Sequence, residues 1–465
     1  MENTQKRWWA FIVLCLGSLM IVLDSTIVNV ALPSIREDLG FSEASLAWVV
    51  NAYLLTFGGF LLLSGRLGDI FGHRKLFFIG LIIFCTASFF CGIAPSQIWL
   101  ITARAIQGFG GAMVSAVGLS LMMNLFTEPQ ERAKMMGIYG FVTAGGGSIG
   151  VLLGGLLTGS LNWHWIFFVN IPIGLVVMVL SLRLLPPKDR NVKHDKRVDV
   201  VGAVTVTVAL LLAVYAIVSG NAAGWLSVRT ISMLLTSVVL LGLFIYIEKR
   251  VERPLVQLSL FHNHNLTVAN GLGILWAASM FAWFFLSALY MQLILHYSPL
   301  RVGLAFLPAN LIMAAFSIGL SAKLVGKFGI KKPLVSGLIL AGLGLLVFAF
   351  TPVRGTFVVH VLPGMLLLGI GAGMGFNPVL LAAMDGIKPS DSGLASGLVN
   401  TSFMMGGALG LAILASAAAA KTHQLVTSGV SPLGALNGGY HVAFLIAACS
   451  AALAGILGWT LLHTS

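Results

Sequence analysis

Two charged residues stand in stretches that are otherwise too apolar to hold them. Asp24 follows an uncharged run from Trp8 to Leu23, and Arg104 is the only charge between positions 97 and 123. An ionised carboxylate in hydrocarbon is costly unless it is protonated or partnered, which makes Asp24 a candidate for reversible proton uptake. Ser25, Thr26 and Asn29 beside it offer hydrogen bonds to either protonation state. The alternative is a carboxylate close enough to the outer interface to stay hydrated, since Pro33 and Arg36 follow. Arg104 cannot readily lose its proton, and a mid-membrane position costs it about 2.5–3.5 kcal/mol. It therefore needs an acceptor: Asp24, a backbone carbonyl, or water in a cavity. Gln107, three residues on, shares its helical face and is a candidate for the same cavity and for substrate contact.

Three further groups of residues carry possible roles. The stretch Gly65–Lys75 reads GRLGDIFGHRK, and AKLVGKFGIKK at Ala322–Lys332 echoes it, with Gly72 falling on Gly329 but Asp69 on Gly326. Its glycines permit a tight turn, and Arg66, Arg74 and Lys75 would anchor a loop at the cytoplasmic face. Asp69 is placed to meet the positive end of a helix starting after Ser390–Ser392. Gly146, Gly150 and Gly154 recur every four residues, which lets one helix face approach a partner closely. Trp276, Trp283, Tyr290, Gln292, Asn310, Asn400, Phe403 and Met404 lie in or beside apolar spans of the second half. Aromatic and methionine side chains suit bulky apolar ligands, and core packing is the competing role for each. Beyond position 267 no acidic residue occurs inside a span, apart from Asp385 near a cytoplasmic end, which argues against a site for a dication.

The elements that would position these residues are membrane helices. Hydrophobic residues make up 58% and charged residues 9% of the 465, which excludes an ordinary soluble domain. Fourteen apolar stretches are long enough to cross a bilayer, the first near 9–33 and the last near 442–462. With both termini in the cytoplasm, twenty-one of the 27 Lys and Arg residues fall in inside segments and five in outside ones. That bias gives a simpler cause for the net charge of +12 than nucleic-acid binding. The basic stretch Arg183–Arg197, with Pro186 and Pro187, would close a first unit at 1–197; an inserted helix pair would occupy 198–265 and a second unit 266–465. Cys15, Cys85, Cys91 and Cys449 show no paired spacing and read as packing or lipid-facing thiols. The apolar run after Lys6, Arg7, Trp8 and Trp9 is too long for a signal peptide and reads as a retained first helix.

Several stretches taken in order resemble the major facilitator superfamily. They are LDSTIVNVALP (Leu23–Pro33), Gly65–Lys75, ITARAIQGFGGA (Ile101–Ala112), the glycine run, WHWIFFVNIPIG (Trp163–Gly174), SPLRVGLAFLP (Ser298–Pro308) and GLASGLVNTS (Gly393–Ser402). With fourteen spans, the chain is similar to the drug:proton antiporter branch. The resemblance implies an all-α fold of two six-helix bundles with two inserted central helices. It implies proton coupling through Asp24 and Arg104, and a loop at Gly65, Asp69, Gly72 and Arg74 that latches one side shut during alternating access. Val151 stands where that branch has a proline after the middle glycine. The implied activity is proton-coupled export of small lipophilic, often cationic drugs; an endogenous metabolite or lipid is the alternative cargo. Neither H-E-x-x-H nor G-x-x-x-x-G-K-[ST] occurs, so neither a zinc enzyme of that type nor an ATP-driven pump is expected. The expected partners are the small-molecule substrate, protons and membrane lipids, with no cofactor, no metal and no nucleic acid. A monomer crossing a bacterial cytoplasmic membrane many times is the expected form.

Overall fold

A computed structural model of the chain describes residues 2–126, 128–185, 199–252, 254–387 and 392–463. The long helices are α1 (Glu2–Leu39), α2 (Trp48–Phe71), α3 (His73–Gly92), α4 (Gln97–Leu125), α5 (Pro129–Ser160), α6 (Asn170–Leu184) and α7 (Val200–Ala223). They continue with α8 (Val228–Arg250), α9 (His264–Leu289), α10 (Pro299–Ala315), α11 (Lys331–Ala349), α12 (Leu362–Met384), α13 (Ser392–Thr427) and α14 (Pro432–Leu461). Among the described residues, 12 helices are long and apolar enough to cross a membrane, rather than fourteen; α5 and α10 are the two outside that set. The α10 run is 17 residues long because a π-turn at Phe316–Leu320, with Gly319 at φ 143°, interrupts the expected span before Ser321–Phe328 resumes the helix.

The first six helices pack around α1 and α4, and α9 to α14 form a second group around α9, α12 and α14. The groups meet along α2–α13 and α5–α10. Helix α7 packs on α8 and covers the α2–α13 seam, with Thr207 against Gly59 and Asn221 donating to the Ser416 carbonyl at 2.7 Å. The basic stretch after Leu185, including Pro186 and Pro187, and Arg253, Lys388 and Ser390 lie outside the described residues.

The expected loop at Gly65–Lys75 is mostly helix. Helix α2 runs through Gly65 and Asp69 to Phe71, and only Gly72 breaks it, at φ 95°. Gly329, its counterpart in the echo, breaks the chain in the same way at φ 76°, so the repeat is real at the level of the backbone. A left-handed φ strains any residue with a Cβ, which is why a glycine stands at both turns.

Candidate functional site

Asp24 lies in the middle of α1, about 22 Å along the axis from Leu39 at 1.5 Å per residue. It is 0% exposed and Arg104 is 1% exposed, which rules out the hydrated carboxylate. The two touch: Arg104 Nη1 donates to Asp24 Oδ2 at 2.5 Å. Gln107 Nε2 donates to the other oxygen, Oδ1, at 2.7 Å, and Asn170 Nδ2 donates to it at 2.9 Å. Ser88 Oγ accepts from Gln107 at 3.1 Å and from Asn170 at 3.0 Å, and passes its own proton to the Phe167 carbonyl at 2.8 Å. Arg104 also gives Nη1 to Gln107 Oε1 at 2.7 Å and Nε to the Val49 carbonyl at 3.0 Å. A buried ion pair is tolerable only when further hydrogen bonds compensate it, and here Val49 of α2, Gln107 of α4 and Asn170 of α6 supply them.

The packing that permits this follows from small residues. Gly80 and Gly110 let α3 and α4 meet backbone to backbone, since a Cβ on Gly110 would lie 2.7 Å from the Phe84 nitrogen. That approach carries Ser88 and Gln107 into contact. The expected hydrogen bonds from Ser25, Thr26 and Asn29 go elsewhere: each donates to a carbonyl of its own helix, at Val22, Leu23, Ser25 or Thr26. On a helix, residues one and two positions away cannot turn toward the same partner, and short polar side chains find the preceding turn first.

A cavity of about 550 Å³ lies between the two groups of helices and reaches the end of the bundle that carries Gly72. Arg66 and Asp69 line its mouth, and Ser25, Tyr53 and Phe281 lie deeper. The Tyr53 ring separates this space from the ion pair. Its centroid is 4.4 Å from the Arg104 guanidinium carbon, while the same residue lines the cavity. Tyr53, Ser88 and Asn170 were not singled out from sequence; Asn170 sits in the WHWIFFVNIPIG stretch, but nothing distinguishes Ser88 among the apolar-helix serines.

The candidate substrate residues divide. Asn400 and Met404 line the cavity. Gln107 does not; it is buried in the ion-pair network. Trp283 is fully buried against Phe284 and Phe306, and Trp276 packs with Phe376 and Phe403. Tyr290 donates its hydroxyl to the Pro352 carbonyl at 2.8 Å, and Asn310 is 4% exposed within α10. Gln292 donates across the halves to the Val30 carbonyl at 2.8 Å, beside a crevice at the far end of the molecule. These placements share a cause: an aromatic or amide on a long apolar helix reads alike in sequence whichever face it occupies.

At the Gly72 turn, Asp69 Oδ1 lies 3.4 Å from His73 Nε2, and Arg74 donates to the Leu182 carbonyl at 2.9 Å. The glycine face of α5 packs on α1, with Gly146 against Leu19 and Val22, Gly150 against Thr26, and Gly154 against the Ile27 carbonyl. Its other face closes on α10: a Cβ on Gly155 would lie 2.6 Å from the Pro299 carbonyl oxygen, and one on Gly303 would lie 3.0 Å from that of Val151. The molecule is thus shut at the end opposite the cavity mouth. Val151 does not bend α5, which runs unbroken from Pro129 to Ser160.

Two helix groups around a central cavity, with a charged pair sealed in one of them, define a membrane-transporter fold. The chain belongs to the Major Facilitator Superfamily, whose family description matches residues 14–411. It is 37% identical to a puromycin resistance protein of Streptomyces alboniger, over 99% of this chain and 92% of that protein. It is 35% identical to the multidrug resistance protein Stp of Mycobacterium tuberculosis, over 87% and 74%, and 33% identical to a lincomycin resistance protein of Streptomyces lincolnensis, over 89% and 85%. Among solved structures, the fold is similar to a partially occluded, inward-open form of the xylose transporter XylE from E. coli. The TM-score there is 0.67 at 14% identity, covering 99% of both chains.

Proposed function

We propose that this protein exports small lipophilic drugs in exchange for protons, by alternating access of the central cavity. The observation that carries the reading is the fully buried Asp24–Arg104 pair lying one aromatic ring away from that cavity. Protonation of Asp24 removes its attraction for Arg104 and frees the guanidinium to seek other acceptors. A proton taken up there can therefore change the wall that the cargo meets. The resistance relatives support the cargo class.

In this reading α5 and α10 also cross the membrane, completing fourteen spans. At 32 residues α5 is long enough, and α10 is extended beyond its π-turn by Ser321–Phe328. Residues 1–197 and 266–465 form the two moving bundles, and 198–265 the inserted pair. In this reading both termini and the cavity mouth face the cytoplasm of a bacterial cell, an orientation that the bias of Lys and Arg supports, and the conformation described is inward-facing. Gly65, Asp69, Gly72 and Arg74 act as the latch of that mouth, and the protein works as a monomer.

The test is drug accumulation in proteoliposomes under an imposed pH gradient, with and without a protonophore. Accumulation that follows the gradient and collapses with the protonophore supports the reading. Accumulation indifferent to the protonophore rules out proton exchange.

A further inference from the structure

The placement of acidic residues bears on what the cavity can hold. Among the described residues, Asp24 is the one Asp or Glu near the middle of a membrane-length helix; the other described ones lie close to helix ends or between helices. Asp24 does not face the cavity. It is fully buried, its oxygens have three donors, and the Tyr53 ring stands between its partner Arg104 and the open space. Among the described residues, the charged groups on the cavity lining are Arg66 and Asp69, both at the mouth.

The deeper walls are of two kinds. Helices α1 and α4 bring Ser18, Ser25, Ser115 and Ser120 to the lining; Ser25 and Ser120 donate to the Val22 and Ala116 carbonyls and so offer the cavity acceptors. Across from them, α9 and α13 present Phe281 and Met404, with the Asn400 carboxamide beside them. Asn400 spends its Nδ2 on the Ser396 carbonyl at 3.0 Å, which leaves its carbonyl oxygen as an acceptor. A permanent cation entering this space gives up hydration and meets no counter-charge, whereas hydroxyl and amide groups find donors and acceptors.

We propose that the cavity binds its cargo as an uncharged amphiphile, with a hydroxyl- or amide-bearing face on the serines of α1 and α4 and an apolar face on Phe281 and Met404. The proposal rests on the export reading above and narrows its cargo from lipophilic drugs in general to uncharged ones.

The test is equilibrium binding to the purified full-length protein in lipid nanodiscs. Chloramphenicol serves as an uncharged probe with hydroxyl and amide groups, and ethidium as a permanent cation. Chloramphenicol is expected to bind at least about tenfold more tightly than ethidium, because the ethidium charge stays uncompensated. Ser115→Ala should weaken chloramphenicol several-fold and leave ethidium unchanged. Leu119→Glu, on the same lining, should raise ethidium affinity about tenfold or more by supplying the missing carboxylate. Ethidium binding as tightly as chloramphenicol to the unaltered protein overturns the proposal. So does the absence of saturable chloramphenicol binding by protein that is monodisperse and fully helical. Both readouts use the unaltered chain, so a misfolded variant cannot rescue the proposal. The charge preference is read from affinities at a fixed pH, without a gradient, so a negative result here leaves proton exchange standing, and a failure of proton exchange leaves the charge preference measurable.

Discussion

In the first half of the molecule, side chains from several helices converge on one carboxylate and one guanidinium, and each bond of that cluster has a named partner. Among the described residues of the second half, no charged side chain lies at comparable depth. Trp276, Trp283, Tyr290 and Phe306 fill it, and the indole nitrogens of both tryptophans lack a hydrogen-bond partner among the described residues. The two halves nevertheless share a backbone device, the single-glycine turns at Gly72 and Gly329. The halves share this turn but not their interiors: one holds a buried ion pair, and the other supplies aromatic packing and an apolar wall.

The sharpest way to break that division is to remove the carboxylate. Asp24→Asn should abolish proton-coupled transport, with a loss of 100-fold or more. It should also destabilise the protein by about 3–5 kcal/mol, because Arg104 is left buried and uncompensated. Adding Arg104→Gln should restore most of the melting temperature and none of the transport. If the single variant transports normally, the first half is not where the chemistry lies.

Next in size is the closed end. Gly155→Leu places a side chain against Pro299 and Leu300, where even a Cβ is too close. Transport should fall about tenfold or more by analogy with overpacked cores, which lose 1–3 kcal/mol. Spin labels at the outer ends of α5 and α10 should report a longer distance.

Tyr53 offers a graded test. Tyr53→Leu removes the ring between Arg104 and the cavity and should raise drug-independent proton entry several-fold. Tyr53→Phe keeps the ring and removes a hydroxyl that has no partner among the described residues, so proton entry should stay near its original rate. Equal leaks in the two variants would show that the ring is not the partition.

The smallest effects belong to the second half. Tyr290→Phe loses the bond to the Pro352 carbonyl and should cost about 1 kcal/mol of stability with unchanged transport. Asn400→Ala, on the cavity wall, should instead raise the drug KM several-fold with little change in melting temperature. A KM effect from Tyr290→Phe would blur the contrast between packing and wall.

How much of this was legible in the sequence depended on how rare each signal is in a membrane protein. Asp24 and Arg104 stand out because a charge inside an apolar span demands a partner, and few are present. Gly72 and Gly329 stand out because their stretches repeat. Ser88 and Asn170 could not be read in the same way: a serine or asparagine on an apolar helix is commonplace, and only tertiary packing brings these two to Asp24. Trp283, Tyr290, Gln292 and Asn310, which are not on the cavity lining, show the converse. Their types suit a binding wall, but nearly every face of these helices is apolar, so periodicity does not separate the cavity side from the core side. Helix α10 was misread as continuous because a π-turn leaves no mark in composition.

The most direct test of the division between the halves is drug-triggered proton release from the solubilised protein in weakly buffered solution, followed with a pH indicator. The account predicts that a saturating exported drug releases up to one proton per chain from the unaltered protein, and none from folded Asp24→Asn protein that still binds the drug. Undiminished release from Asp24→Asn would contradict it and place the exchangeable proton elsewhere in the chain.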